Sequence, residues 1–144
     1  MQETHVLVKP DGVRRGLTGA VLDGLRADGL LAVPVGWVWL TDEAARHWYP
    51  EKLEEPDGPL TLRYLCEGPM AVLDVRGDDA IVRAHRTKRR LRRTLGGDER
   101  HNVVHCPETD AERDHERTVF AGLLRRREPR RPVGSFRPAS LLWP

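Results

Sequence analysis

Apolar positions along the chain fall into four short runs, with stretches of helical spacing between them. The first run, "THVLVK" at 4–9, is rich in β-branched residues and reads as a strand, and Pro10-Asp11-Gly12 stops it with a turn signal. From Thr18 to Ala27 the apolar residues Val21, Leu22 and Leu25 recur at helical spacing, and Gly29 stands where a helix C-terminus is closed. "LLAVPVGWVWL" at 30–40 reads as a second strand, and Pro34 inside it argues for a sheet edge or a bulge. Thr41 is placed to cap a helix through "EAARHWY", 50–59 reads as a loop, and "LTLRYLC" reads as a short helix. "MAVLDVRG" at 70–77 is a third strand, "DDAIVRAHRTKRRL" a basic helix and "NVVHC" a fourth strand. A last helix is expected over "DAERDHERTVFAGLLRRR", with Val119, Phe120 and Leu123 turned to the core. Trp37 and Trp39 are expected to pack in the core as well.

This order, strand-helix repeated four times, predicts an α+β, ferredoxin-like sandwich. Its sheet is four-stranded and antiparallel, built from two split βαβ units with helices on one face. A parallel doubly wound sheet is the competitor, but neither GxGxxG nor GxxxxGK[ST] occurs, which argues against a glycine-loop phosphate cradle. Residues 1–127 are read as one domain and 128–144 as a Pro/Arg-rich tail.

Composition narrows the class. The chain has 144 residues, two cysteines and a net charge of +2. No run approaches the roughly 18 to 20 apolar residues that span a bilayer. The N-terminus has no basic-then-apolar leader, so a cytoplasmic protein with reduced thiols and no membrane partner is the expectation. Cys66 and Cys106 are too few and too far apart for a disulfide framework or a zinc site. Charge is clustered: "RAHRTKRRLRR" at 83–93 holds seven Lys or Arg in eleven residues, and "RRREPRRPVGSFRP" is a second basic run. Basic runs imply phosphates as partners, of nucleotides or of a nucleic-acid backbone, or else plain solvated helix faces.

The segment "HNVVHCPETDAERDHE" at 101–116 places a histidine at a strand end and a glutamate eleven residues on, with a helix start between. By itself His105 could be a reacting group or a strand-terminal histidine with no task. Together with "HVLVKPDGVRRGLTGAVLDGL" near the start and "EGPMAVLDVRG" in the middle, the segment resembles the signature regions of nucleoside diphosphate kinases, in the same order and over roughly residues 4–124.

The resemblance implies an enzyme that moves the γ-phosphate of a nucleoside triphosphate, such as ATP, to a nucleoside diphosphate or a related phosphorylated acceptor through a phosphohistidine. It assigns the nucleophile to His105 and its orienting carboxylate to Glu116. Lys9 becomes the cation on the transferring phosphoryl group, Tyr49 a neighbour of histidine and phosphate, and Asn102 a ligand of sugar and phosphate. Arg92 corresponds to a phosphate-binding arginine, and His85 or Arg86 to a second. Mg²⁺ is expected on the nucleotide phosphates without a dedicated protein cage, and the chain is expected to form a homo-oligomer, a dimer or higher. The alternatives are a non-catalytic nucleotide-binding module of the same fold and, with less support, a nucleic-acid-binding protein.

Four departures from the pattern stand out. The chain is about ten residues short before "NVVH". Asp57 stands where the family stacks the base on phenylalanine. Cys106-Pro107 replaces a glycine-serine pair whose serine hydrogen-bonds near the histidine–glutamate pair. The block the family writes as RGDF is not recognisable. The phosphoryl-transfer residues are kept and the base-binding ones rebuilt.

Overall fold

The computed structural model describes residues 1–130. Strand β1 is Gln2–Val8, followed by helices α1 (Pro10–Arg14) and α2 (Thr18–Ala27) and strand β2 (Leu31–Val38). Helix α3 (Asp42–Trp48), a 3₁₀ turn at Pro50–Glu54 and helix α4 (Gly58–Leu65) lead to β3 (Met70–Gly77). Helix α5 (Ala80–Leu95), β4 (Val104–His105) and α6 (Asp110–Phe120) complete the order. The sheet runs β2-β3-β1-β4, and every neighbouring pair is antiparallel, the ferredoxin-like arrangement.

Helices cover both faces of this sheet, not one. Val6, Val8, Leu73 and Val75 face Val21, Leu25, Ala84 and Leu91 of α2 and α5. Leu7, Met70 and Val72 face Trp48, Leu62, Leu65, Val119 and Phe120 of α3, α4 and α6. The cause lies in β3, where Met70, Ala71, Val72 and Leu73 are buried in succession, so neither face of that central strand can stay in water.

Local sequence accounts for most elements. Thr41 Oγ1 accepts the Ala44 N–H at 3.1 Å, the expected cap of α3. Pro34 lies on the edge strand at a register shift between Pro34 and Gly36, so no ladder bond is lost in the sheet interior. Other expectations fail for identifiable reasons. Pro10-Asp11-Gly12 is the first turn of α1 rather than a plain turn, because proline at N1 has the right φ and needs no donor. The stretch after Pro50 is a 3₁₀ turn, not a loop. Helix α6 stops at Phe120, and Arg125 pairs by backbone with Trp37 instead (2.7 and 2.8 Å). Trp37 and Trp39 are only partly buried, and Trp39 Nε1 donates to the Cys66 carbonyl at 2.9 Å. The expected tail falls largely outside the described residues.

Helix α5 explains where the first basic run goes. Ala80, Ile81, Ala84, Thr87, Lys88 and Leu91 form its buried face, and the arginines occupy the rest. Part of that charge is used structurally: Arg90 pairs with Asp28 at 2.8 Å, and Arg83 donates to the Asp28 carbonyl, tying α5 to the end of α2.

Candidate active site

The "KPDG" stretch is built to fix the short strand that carries His105. Lys9 N–H donates to the Val103 carbonyl at 2.7 Å, and Asp11 Oδ2 accepts the Val103 N–H at 3.0 Å. Val103 has φ 75°, a left-handed conformation that costs a β-branched residue about 1–3 kcal/mol and persists only under such restraint. Asp11 Oδ1 accepts the hydroxyl of Tyr64, and the Asp11 N–H donates to the same hydroxyl oxygen at 3.2 Å. A Cβ on Gly12 would lie 2.9 Å from the Val103 carbonyl oxygen, so only glycine permits this approach. The twist at Val103 cuts β4 to two residues, where the sequence suggests five, and leaves His105 paired with Leu7 at the sheet edge.

His105 sits with Glu116 below it and aromatic rings beside it. Its Nε2–H donates to Glu116 Oε2 at 2.8 Å, since an ionised carboxylate only accepts. Trp48 and Tyr49 meet the imidazole edge-on, with centroids 5.1 and 6.4 Å away. Nδ1 is therefore the unprotonated nitrogen, and the Tyr49 hydroxyl lies 3.5 Å from it. Burial lowers the His105 pKa against the opposing pull of Glu116, which keeps the ring neutral at pH 7. Burial alone would raise Glu116, but hydrogen bonds from His105 and His5 outweigh it and hold the carboxyl well below its usual range. Burial raises Tyr49, helped by Glu116 and Glu51, so its hydroxyl stays protonated.

His105 opens on a cleft of about 520 Å³ that is also lined by Tyr49, Lys88, Arg92, Glu108, Glu112 and Glu116. Arg92 crosses from α5 and donates to the Val104 carbonyl at 3.0 and 2.8 Å, next to His105. Lys88, one turn earlier on α5, is buried and pairs with Glu108 at 3.3 Å. Lys9 and Asn102 form a linked pair: Lys9 Nζ donates to Asn102 Oδ1 at 2.7 Å and to the Arg100 carbonyl at 2.8 Å. Burial, reinforced by Arg92, lowers the Lys9 ammonium to about 8 against the pull of Asp11 and Asp98. Cys106 is inert by the same physics, since burial pushes its thiol up to about 12.

Lys9 and Asn102 lie as a pair outside the lining of the cleft, while Tyr49, Arg92 and Glu116 line it with His105. Arg86 does not: it is exposed on α5, beside a separate basin with Asp28, Arg83, Arg90 and Arg93. The helical phase carries it away, since Ala80, Ile81, Ala84, Thr87, Lys88 and Leu91 take the buried face of α5 and Arg86 falls off it. His85, the other candidate, is half-buried and faces Glu108 at 3.5 Å. Two residues were missed, Lys88 and His5. Each had one signal, a polar side chain in phase with a buried apolar face.

The missing ten residues are replaced by a tight reversal. Gly96 and Gly97 have φ 76° and 110°, and a Cβ on Gly97 would meet the His101 carbonyl oxygen at 1.7 Å. Asp98 Oδ1 then accepts the N–H groups of Arg100 (2.8 Å) and His101 (2.6 Å), and Arg100 Nε reaches Thr61 Oγ1 on α4 at 3.1 Å. Asp57 is exposed at the start of α4, at the position where an aromatic platform was expected to be lost.

The profile of the nucleoside diphosphate kinase family matches residues 2–122. A nucleoside diphosphate kinase of Archaeoglobus fulgidus is 34% identical over 130 residues, covering 83% of this chain and 86% of that one. One from Thermus thermophilus is 30% identical over 126 residues, covering 79% and 92%. Among solved structures, a halophilic nucleoside diphosphate kinase from Halobacterium salinarum in complex with CDP superposes with TM-score 0.66 at 26% identity, covering 89% of this chain and 93% of that one. The Aquifex aeolicus enzyme shares the fold, with TM-score 0.70 at 21% identity, over 83% and 94%. The chain belongs to the nucleoside diphosphate kinase family.

Proposed function

We propose that this protein is a nucleoside diphosphate kinase that works through a phosphohistidine on His105 Nδ1. The observation that carries the reading is the hydrogen bond between half-buried His105 and buried Glu116, with Nε2 tied to the carboxylate on the wall of the cleft and Nδ1 left free of a carboxylate. In the first half-reaction the Nδ1 lone pair attacks the γ-phosphorus of a nucleoside triphosphate. The bond to the β-phosphate oxygen breaks and the diphosphate leaves. In the second, a terminal phosphate oxygen of an acceptor diphosphate attacks phosphorus, the N–P bond breaks, and neutral His105 returns. Glu116 stabilises the charge that develops on the ring, the Tyr49 hydroxyl, Lys88 and Arg92 line the cleft that would receive the phosphoryl oxygens, and Lys9 would turn from Asn102 to meet them. A non-catalytic module of this fold has no need for a half-buried, hydrogen-bonded imidazole kept neutral in the wall of a cleft.

Among the described residues no cluster of three or more His, Cys, Asp or Glu is arranged to hold a metal ion. The lining of Lys88, Arg92 and rim carboxylates Glu108 and Glu112 fits Mg²⁺ carried on the nucleotide phosphates. That ion supplies charge neutralisation of the phosphates when bound.

The protonation states set the pH range. Transfer needs His105 neutral and Lys9 charged. His105 is lowered from 6.5, so activity persists below that pH, and kcat/KM is expected to decline as pH rises through about 8, where free Lys9 loses its proton. Lys9→Arg, whose cation does not titrate, is expected to remove the alkaline decline; a decline at the same pH in that variant would exclude Lys9 as its source.

Asp57 in place of an aromatic ring predicts weak base binding. Asp57→Phe is expected to lower the nucleotide KM by about tenfold, given stacking worth roughly 1–3 kcal/mol, with kcat little changed. Equal KM values would show that the base does not rest there.

A homo-oligomer completes the proposal. Strand β2 is a sheet edge whose Leu31, Val33 and Val35 are 62%, 50% and 42% exposed, an apolar edge that proteins ordinarily cover. Sedimentation is expected to give a dimer or higher species that Val33→Lys weakens; a monomer in the unsubstituted protein would refute the edge contact.

A further inference from the structure

Glu116 is held at both oxygens by histidines from different parts of the chain. Oε2 receives His105 Nε2–H at 2.8 Å, and Oε1 receives His5 Nε2–H at 2.7 Å. His5 lies on β1, 6% exposed, in the same strand phase as Leu7, whose backbone pairs with His105. Its ring also meets Phe120 of α6 edge-on, with centroids 6.2 Å apart. Phase and burial would place an apolar residue here, because a buried imidazole costs free energy unless its N–H is paired. The pairing falls on the one carboxylate that orients the nucleophile.

We infer that His5 is a positioning residue for phosphoryl transfer, fixing Glu116 so that its second oxygen sets the tautomer and orientation of His105. The inference rests on the proposed chemistry at His105. The segment after the nucleophile offers no substitute, since Pro107 has neither a side-chain donor nor an N–H. A carboxylate held on one side only can rotate about its last torsion, and in a buried site it is drawn toward protonation. Either change releases His105 Nε2, lets the proton move to Nδ1 and removes the lone pair that attacks phosphorus. With His5 donating, Glu116 stays ionised at 3% exposure and is gripped from two adjacent strands, β1 through His5 and β4 through His105. Pairs at this separation in sequence, 111 residues, are held only by the folded sheet.

The test compares His5→Phe, which keeps the ring contact with Phe120 and loses the donor, with His5→Gln, whose amide N–H can reach Glu116. His5→Asn, polar but too short, replaces the Phe variant if that does not fold. Single-turnover labelling by γ-labelled ATP is expected to slow about 10- to 100-fold in His5→Phe, with the ATP concentration dependence within twofold, and to recover most of its rate in His5→Gln. ¹⁵N NMR of the unliganded protein reads the same arrangement without activity. His105 is expected as the Nε2–H tautomer in the unsubstituted protein and in His5→Gln, and as a mixture in His5→Phe. An unchanged rate and tautomer in His5→Phe, or a His5→Gln as slow as His5→Phe, would overturn the inference. An unsubstituted protein that takes no label would instead overturn the proposed function and leave the tautomer result to decide on His5.

Discussion

His105→Ala is expected to take no label from γ-labelled ATP and to lose at least about a thousandfold in kcat, because removing a covalent nucleophile leaves only binding and electrostatic contributions. The unsubstituted protein is expected to acquire a label that is lost in acid and stable in base, and to pass it to an added nucleoside diphosphate after the donor has been removed. Ping-pong kinetics should accompany that discharge. The alanine variant should still fold, with Tm lowered by a few degrees, because buried Glu116 Oε2 loses its donor while the backbone pairing of Leu7 with residue 105 does not depend on the ring. A label that persists in His105→Ala would place the phosphoryl group on another residue and refute the mechanism. An unlabelled native protein that still bound nucleotide would favour the non-catalytic reading.

Asp11→Ala is expected to be the most damaging substitution to stability near the site, costing about 3 kcal/mol and lowering Tm by roughly 10 °C. Asp11 is buried, and its two oxygens accept the Val103 N–H and the Tyr64 hydroxyl, so truncation leaves two donors unpaired in the interior. The left-handed Val103 then loses the restraint that holds it, and β4 relaxes toward an ordinary extended path. That moves His105, two residues on, and turnover should fall about a hundredfold, the scale of an ångström-sized misplacement of a reacting group. Asp11 also raises the pKa of Lys9, so the alkaline limb of the pH profile should move to lower pH in this variant. Asp11→Asn keeps one acceptor but turns an amide N–H toward the other donor, and should recover only part of the loss. Unfolding at the native temperature in Asp11→Ala would show that Val103 is held by other means.

Much of the site was legible because its chemistry is linear along the chain. His105 and Glu116 are eleven residues apart across a strand end and a capped helix, and "KPDG" marks its own turn of helix. What stayed hidden was hidden for physical reasons. Lys88 looked like one cation among seven, and only the phase of α5 puts it on the buried face while Arg86 goes to solvent. The length of β4 could not be read from "NVVHC", since the apolar run says nothing of the positive φ that Asp11, ninety-two residues earlier in the chain, imposes on Val103.

Local periodicity by itself determined α2, β3, the cap of α3 and the edge position of Pro34, because each depends on neighbours within a few residues, whereas His105 and Glu116 were singled out only by the resemblance of whole segments to a family. Only the tertiary structure decided that both sheet faces are covered, that Lys9 is engaged with Asn102 and the Arg100 carbonyl, and that His5 closes the second oxygen of Glu116. The polar contacts join segments far apart in sequence, and their free energy comes from burying polar groups against partners that the folded sheet brings within reach.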